Sequence, residues 1–490
     1  MILVTLDHDF HYETANICRL FVPHEKIKIV KELPPVCEEL LAVTRITEDH
    51  TGAHLFCRLE IDGEGENLEG FVPSDHPAYT GECELRLSTL LYHLLCRMFD
   101  TTQSWGVLTG IRPVKLLRQK TALLGEKEAD ILFRETFLVS EAKMQLAKET
   151  LKRENAILSL SKPNSFSLYL SVPFCPTRCD YCSFVSHTTD RSVSLIPEYV
   201  TLLQEEIRAT SQIAKDLGLQ LETVYMGGGT PTTLSAKQME AVLKAVCDSM
   251  DMTHLREFTV EAGRADTITK EKLEAIKACG VPRISINPQT LHNSVLEAIG
   301  RKHTVEQFYD AYNLAKQIGF DVINTDLIAG LPTDTVEGFR ETLDGIINLH
   351  PENITVHTLS MKRASNLVVR HRTDIGKKEE TPQMVQSSVT ALSQNGYVPY
   401  YLYRQGRTVG NQENVGWSLP GKEGLYNVFI MDETHTILGC GAGAVTKLKE
   451  PSGPYIERIF NYKFPYEYNA RFSDMLERKS GITDFYKKYN

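Results

Sequence analysis

From Ser167 onward the chain alternates short runs rich in β-formers with longer amphipathic stretches, and this alternation limits the fold more than any other feature. The strand candidates are 167–172, 221–226, 257–262, 283–287, 321–328 and 353–359. Apolar residues at three- and four-residue spacing predict helices between them over 195–217, 236–250, 304–318 and 336–349. Parallel neighbours need a long crossover and helices supply it, so the expectation is an α/β fold on a parallel sheet. Six strand-helix units make a partial (β/α)6 barrel.

The flanks read differently. At 490 residues the chain exceeds one ordinary core, and three domains are expected: 1–160, an α+β domain of unassigned role; 161–380, the partial barrel; and 381–490, a mixed region that covers the substrate. Within the first, 54–61 reads as a strand, 63–70 as a polar turn and 87–98 as a helix. Pro113 is placed to open another helix, and a last one falls near 140–160. In the third, 397–403 and 426–431 read as strands ahead of a helical tail.

Composition narrows the function. Apolar residues make up 42% and charged ones 24%, the balance of a globular enzyme. The first residues carry acids where a signal peptide carries bases, and no apolar run reaches the ~18 residues of a membrane span. The expectation is a cytoplasmic protein with no membrane partner. A formal charge of −10 gives no general attraction to polyphosphates, which argues against nucleic acid as a main partner. It leaves room for a local basic pocket.

Cys175, Cys179 and Cys182 stand in Val-Pro-Phe-Cys-Pro-Thr-Arg-Cys-Asp-Tyr-Cys, just after the first strand candidate. One loop with this spacing can aim three thiolates at a common point and leave one iron of a four-iron cluster unligated. Structural zinc is the alternative, but it takes four protein ligands, and His187 is the sole close candidate for a fourth. The other cysteines are scattered singly, often among apolar neighbours, and read as reduced core thiols. Ligands in parallel α/β folds gather at the carboxyl ends of strands. The polar groups there are Gly227, Gly228, Gly229 and Thr230 after the second candidate, Glu261 on the third, Gln289 after the fourth, Arg301 beyond it, and Asp326 in the fifth. Three successive glycines let backbone approach a ligand closely.

The cysteine triplet with Tyr181 before its third member resembles the signature of radical S-adenosylmethionine (SAM) enzymes. The extended motif is similar to that of the oxygen-independent coproporphyrinogen III oxidase group, in its HemZ branch, over roughly 167–447. The resemblance implies a [4Fe-4S] cluster on Cys175, Cys179 and Cys182, and SAM as second cofactor. It implies that Gly227–Thr230 meet the methionyl amino group, that Gln289 and Asp326 meet the ribose, and that Arg301 and Glu261 form a polar network around methionine. Tyr169 joins the cofactor set. The implied reaction takes a hydrogen from a propionate side chain of coproporphyrinogen III, releases carbon dioxide and leaves a vinyl group, twice per tetrapyrrole. It further implies an electron donor such as flavodoxin or ferredoxin and an electron acceptor of unknown identity. A four-carboxylate macrocycle calls for aromatic faces and cations; Arg363, Tyr401, Tyr403 and Arg404 are the candidates.

Two positions depart from the family pattern: Phe184 stands where the best-understood oxidases carry a fourth cysteine, and Ser171 where they carry a histidine. Phe184 resembles the HemW haem-chaperone branch, which keeps haem binding without decarboxylation as an alternative. Glu413, Val445 and the Lys362-Arg363-Ala364-Ser365 segment favour the oxidase-like branch. A tRNA-modifying radical SAM enzyme is a further alternative, opposed by the acidic balance.

Overall fold

A computed structural model describes residues 1–490 except 24, 36, 185, 363, 364, 366, 368–378 and 490, with the backbone alone for Arg191. The chain divides into two units, Met1–Lys148 and Glu149–Asn490.

The first unit holds strands β1 (Ile2–Leu6), β2 (Lys28–Val30), β3 (Leu41–Glu48), β4 (Gly52–Ile61) and β5 (Glu64–Pro73), in the order β2-β1-β3-β4-β5. β1 runs parallel to both neighbours, and β3, β4 and β5 form an antiparallel meander. Alternation along β4 buries Leu55, Cys57 and Leu59, while the helix Tyr79–Phe99 buries Leu87, Leu91 and Leu95. Pro113 opens the helix Pro113–Leu124 at its first turn, where a missing N–H costs nothing. The expected polar turn at 63–70 is instead strand β5. The real turn is Asp62-Gly63, with φ of 52° and 82°, the two left-handed positions of a tight hairpin. The first four residues of β5 are exposed, so their polarity mimicked a loop.

In the second unit the six expected strands are β6 (Ser165–Val172), then, after the short pair β7 (Phe174–Cys175) and β8 (His187–Thr188), β9 (Gln220–Gly228), β10 (Glu257–Glu261), β11 (Arg283–Ser285), β12 (Val322–Ala329) and β13 (Asn353–Thr358). They lie side by side in chain order and parallel. Leu168, Val224, Val260, Ile284, Ile323 and Ile354 are fully buried, and the strand register places all six on one face of the sheet, the apolar side of an alternating pattern. Helices Ile196–Asp216, Ala236–Ser249, Val305–Ile318 and Val336–Asn348 fill the expected crossovers. Capping boxes at Ser235 and Thr304 start the second and third, satisfying their first free N–H groups.

The later strands, β14 (Val398–Arg404), β15 (Glu413–Ser418), β16 (Thr436–Cys440), β17 (Val445–Lys449) and β18 (Ile456–Phe460), extend the same sheet at both ends. β15 pairs antiparallel with β13, and β16 pairs parallel with β6. The sheet runs from β14 to β18 without closing. The expected strand at 426–431 is a helix, Leu425–Asp432. A continuous apolar run does not distinguish strand from buried helix. Here the buried Glu257 carboxylate of β10 accepts from the Leu425 and Tyr426 N–H groups, the latter at 3.2 Å, and holds the helix start. Among the described residues no helix is long and apolar enough to cross a membrane.

Candidate active site

The loop between β6 and β8 is held by two backbone bonds to other segments and one within itself. Thr230 N donates to Phe174 O at 2.7 Å, Asp180 N to Ile299 O at 2.9 Å and Cys182 N to Cys179 O at 3.1 Å. This brings Cys175, Cys179 and Cys182 to the wall of one cavity of about 580 Å³. The Thr230 hydroxyl donates to Cys175 Sγ at 3.4 Å, and Arg264 Nη1 lies 3.8 Å from Cys179 Sγ. Burial pushes the Cys182 thiol up to about 11 and raises Cys175 as well. His187 does not join them; it packs edge-on against Phe464 and Tyr466. Among the described residues no three His, Cys, Asp or Glu side chains close around a single ion, and a four-iron cube is wider than one ion. All eleven cysteines are free.

The strand ends supply the next stretch of wall. A Cβ on Gly227 would lie 2.9 Å from Glu261 Oε2, and one on Gly229 2.6 Å from Phe174 O, so these positions admit no side chain. Glu261 accepts from Tyr225 OH at 2.5 Å. Burial pushes its carboxyl up to about 7, with the Asp326 charge adding to the rise and Tyr225 and His357 opposing it. Burial works against the Asp326 charge too, but His357 and the Asn324 and Thr355 hydrogen bonds hold its pKa below the ordinary value. His357 Nε2 is 3.7 Å from Asp326 Oδ2. Gln289 has a left-handed φ of 70°, fixed by its N–H to Asp326 O at 3.0 Å and by Ile328 N to its carbonyl at 3.1 Å. Its side-chain Oε1 is buried without a partner among the described residues. Arg301 donates from Nε to Tyr181 OH at 3.2 Å and from Nη1 to Asn287 O at 2.7 Å and Gly263 O at 3.3 Å.

Farther along the wall, Tyr401 and Tyr403 project from one face of β14 with rings 6.2 Å apart and nearly parallel, at 8°. His357 near the end of β13, and Ser360 and Lys362 just beyond it, line the same cavity. Of the candidates, Cys175, Cys179, Cys182, Gly228, Gly229, Thr230, Glu261, Gln289, Arg301, Asp326, Tyr401 and Tyr403 line this one space. Gly227 backs it through Glu261. Tyr169 does not line it; its ring stacks on Tyr225 and Tyr426 at 6.5 and 6.0 Å. Arg404 is likewise outside the lining, buried with Nη2 donating to Asn411 O at 3.3 Å. Arg363 lies outside the described residues. Sequence reasoning missed Tyr225, Arg264, Asn324 and Thr355. Strand parity could have found two of them, since Tyr225 shares a face with Gly227 and Asn324 with Asp326.

Residues 169–346 match the model of the radical SAM superfamily, whose cofactors are a [4Fe-4S] cluster and SAM. The residues fit both. Three thiols face one cavity, side-chain-free backbone lies beside them, and the orphaned Gln289 acceptor has no donor until a ligand supplies one. The chain is 37% identical over 483 residues to the oxygen-independent coproporphyrinogen-III oxidase-like protein HemZ of Bacillus subtilis, covering 96% of this chain and 95% of that protein. It is 33% identical over 288 residues to the haem chaperone HemW of Lactococcus lactis, covering 58% and 70%. The solved structure of coproporphyrinogen III oxidase HemN from Escherichia coli shares the fold at a TM-score of 0.51 and 21% identity, over 66% of this chain and 72% of that one. A near-full-length match at this identity, with the thiol triplet and strand-end rim in one cavity, settles the family: the chain belongs to the radical SAM superfamily, among the oxygen-independent coproporphyrinogen-III oxidase-like proteins.

Proposed function

We propose that this enzyme converts coproporphyrinogen III to protoporphyrinogen IX without oxygen, in porphyrin and haem biosynthesis. The observation that carries the reading is the continuity of one cavity, from three thiols and a glycine rim to a parallel tyrosine pair and the side chains of His357 and Lys362. When bound, the cluster and SAM supply a 5'-deoxyadenosyl radical able to take a hydrogen atom from a propionate side chain.

The protein's own residues do the rest. Cys175, Cys179 and Cys182 anchor one iron each. The Gly227–Gly229 backbone and Glu261 receive the methionyl ammonium, Gln289 and Asp326 the ribose hydroxyls, and Arg301 braces Tyr181 beside the methionyl end. Tyr401 and Tyr403 offer flat faces to the macrocycle, and Lys362 offers a cation and His357 a hydrogen-bonding ring to propionates. The region after 381 supplies part of this wall and covers the substrate. A flavodoxin or ferredoxin type of donor delivers electrons, a separate acceptor takes the electron left when carbon dioxide departs, and the reaction runs in the cytoplasm.

The test is an anaerobic incubation with coproporphyrinogen III, SAM and reductant, read by mass for loss of two carboxyl groups. A haem titration runs beside it. The HemW relative and the exposed Phe184 in place of a fourth cysteine support a second reading, haem transfer. Stoichiometric haem binding with an unchanged tetrapyrrole mass would select it.

A further inference from the structure

Arg264, just past the end of β10, is 3% exposed, and its guanidinium is fixed on every side. Nε and Nη2 bind the two carboxylate oxygens of Asp266 at 3.0 and 2.8 Å. Nη1 donates to Thr177 O at 2.9 Å and Thr177 Oγ1 at 2.8 Å, and lies 3.8 Å from Cys179 Sγ. The cation is thus tied to the cysteine loop and set against one ligand sulfur. Cys175 receives a neutral hydroxyl from Thr230 instead.

We propose that the Arg264–Asp266 pair sets the reduction potential of the cluster through the Cys179 sulfur, with Arg264 as its positioning residue. Reduction adds negative charge to a site that already carries three thiolates. A hydrogen bond and a buried positive charge at a ligand sulfur stabilise the reduced state and raise the potential. Asp266 orients the guanidinium and offsets part of its charge. Other charged groups sit close by: Arg301 contributes a second cation braced on Tyr181, and Arg178 lines the cavity. His303, buried beside the pair with neither ring nitrogen hydrogen-bonded among the described residues, adds no charge. Burial and the neighbouring guanidinium groups push its pKa down to about 3.

The test is an electron paramagnetic resonance redox titration of the anaerobically reconstituted full chain. It needs neither SAM turnover nor a tetrapyrrole, so it stands whatever the substrate is. Arg264→Gln is expected to move the midpoint to more negative potential at full iron content, Arg264→Lys to stay near the parent, and Asp266→Asn to move it to more positive potential. A purely structural pair would lose iron in all three variants and leave the midpoint of the loaded fraction unmoved. Such a result overturns the proposal, as does a shift of Arg264→Gln and Asp266→Asn in the same direction. If Arg264→Gln fails to load iron, Asp266→Asn decides: a positive shift supports the proposal, and a parental midpoint overturns it.

Discussion

Glu261 is a carboxyl whose surroundings oppose its ionised form, and the sign of the consequence is definite. Its folded pKa of about 7 lies above the ordinary 4.5, so between those values the folded state holds a proton that the unfolded state has lost. Stability of the cluster-free protein therefore falls as pH rises through this window, by at most about 3 kcal/mol. In Glu261→Gln the fall should be absent, and urea midpoints measured at intervals from pH 4.5 to 7.5 check it. Asp326 and Arg301 should separate in a different way. Asp326 touches other cavity residues but not the cysteine loop, so Asp326→Ala should weaken SAM binding about tenfold or more while iron content holds, at a loss of roughly 1.5–3 kcal/mol for a charged hydrogen bond. Arg301 holds Tyr181 between two cysteines, so Arg301→Ala should lower both iron content and SAM affinity. Calorimetry and iron assay on the same preparations distinguish the two. The thiol triplet was legible because its motif is local. Arg264 was not, because its meaning lies in Cys179, a partner far away in sequence.

Among elements, those whose signal is internal could be read. Each expected strand and crossover helix of the parallel sheet ends within about two residues of its expected bounds, where fraying sets the limit. The two misread segments depended on something outside themselves. The run at 425–432 is helical because Glu257, on another strand, accepts from its first N–H groups. β5 is a strand because the two-residue Asp62-Gly63 turn folds it onto β4. The C-terminal helices are held by a partner no pattern announces. Glu206 and Lys479 form a fully buried ion pair at 2.9 Å, and Glu206 also accepts from Gly441 N, Asn461 and Tyr468. Lys479→Met leaves that carboxylate buried and unpaired, and should cost about 3–5 kcal/mol. Adding Glu206→Gln should recover part of the loss. Denaturant midpoints of the single and double variants give the comparison.

For the whole molecule, the parallel part of the sheet followed from alternation alone, since each strand pairs with the next in the chain. The outer part did not. β16 reaches back to pair with β6, joining Thr436 to Phe166, and such long-range pairing leaves no trace in a local pattern. β14 joins at the opposite end of the sheet through β15 and β13, and β13, β14 and the Leu425–Asp432 helix line the same cavity as the cysteines; under the proposed function its thiol end and its tyrosine end serve one reaction. Coproporphyrinogen III carrying deuterium on its propionate side chains, incubated anaerobically with SAM and reductant, tests that claim most directly. The expected product is 5'-deoxyadenosine heavier by one mass unit, formed together with carbon dioxide loss. Unlabelled 5'-deoxyadenosine, with the tetrapyrrole returned intact, would contradict it.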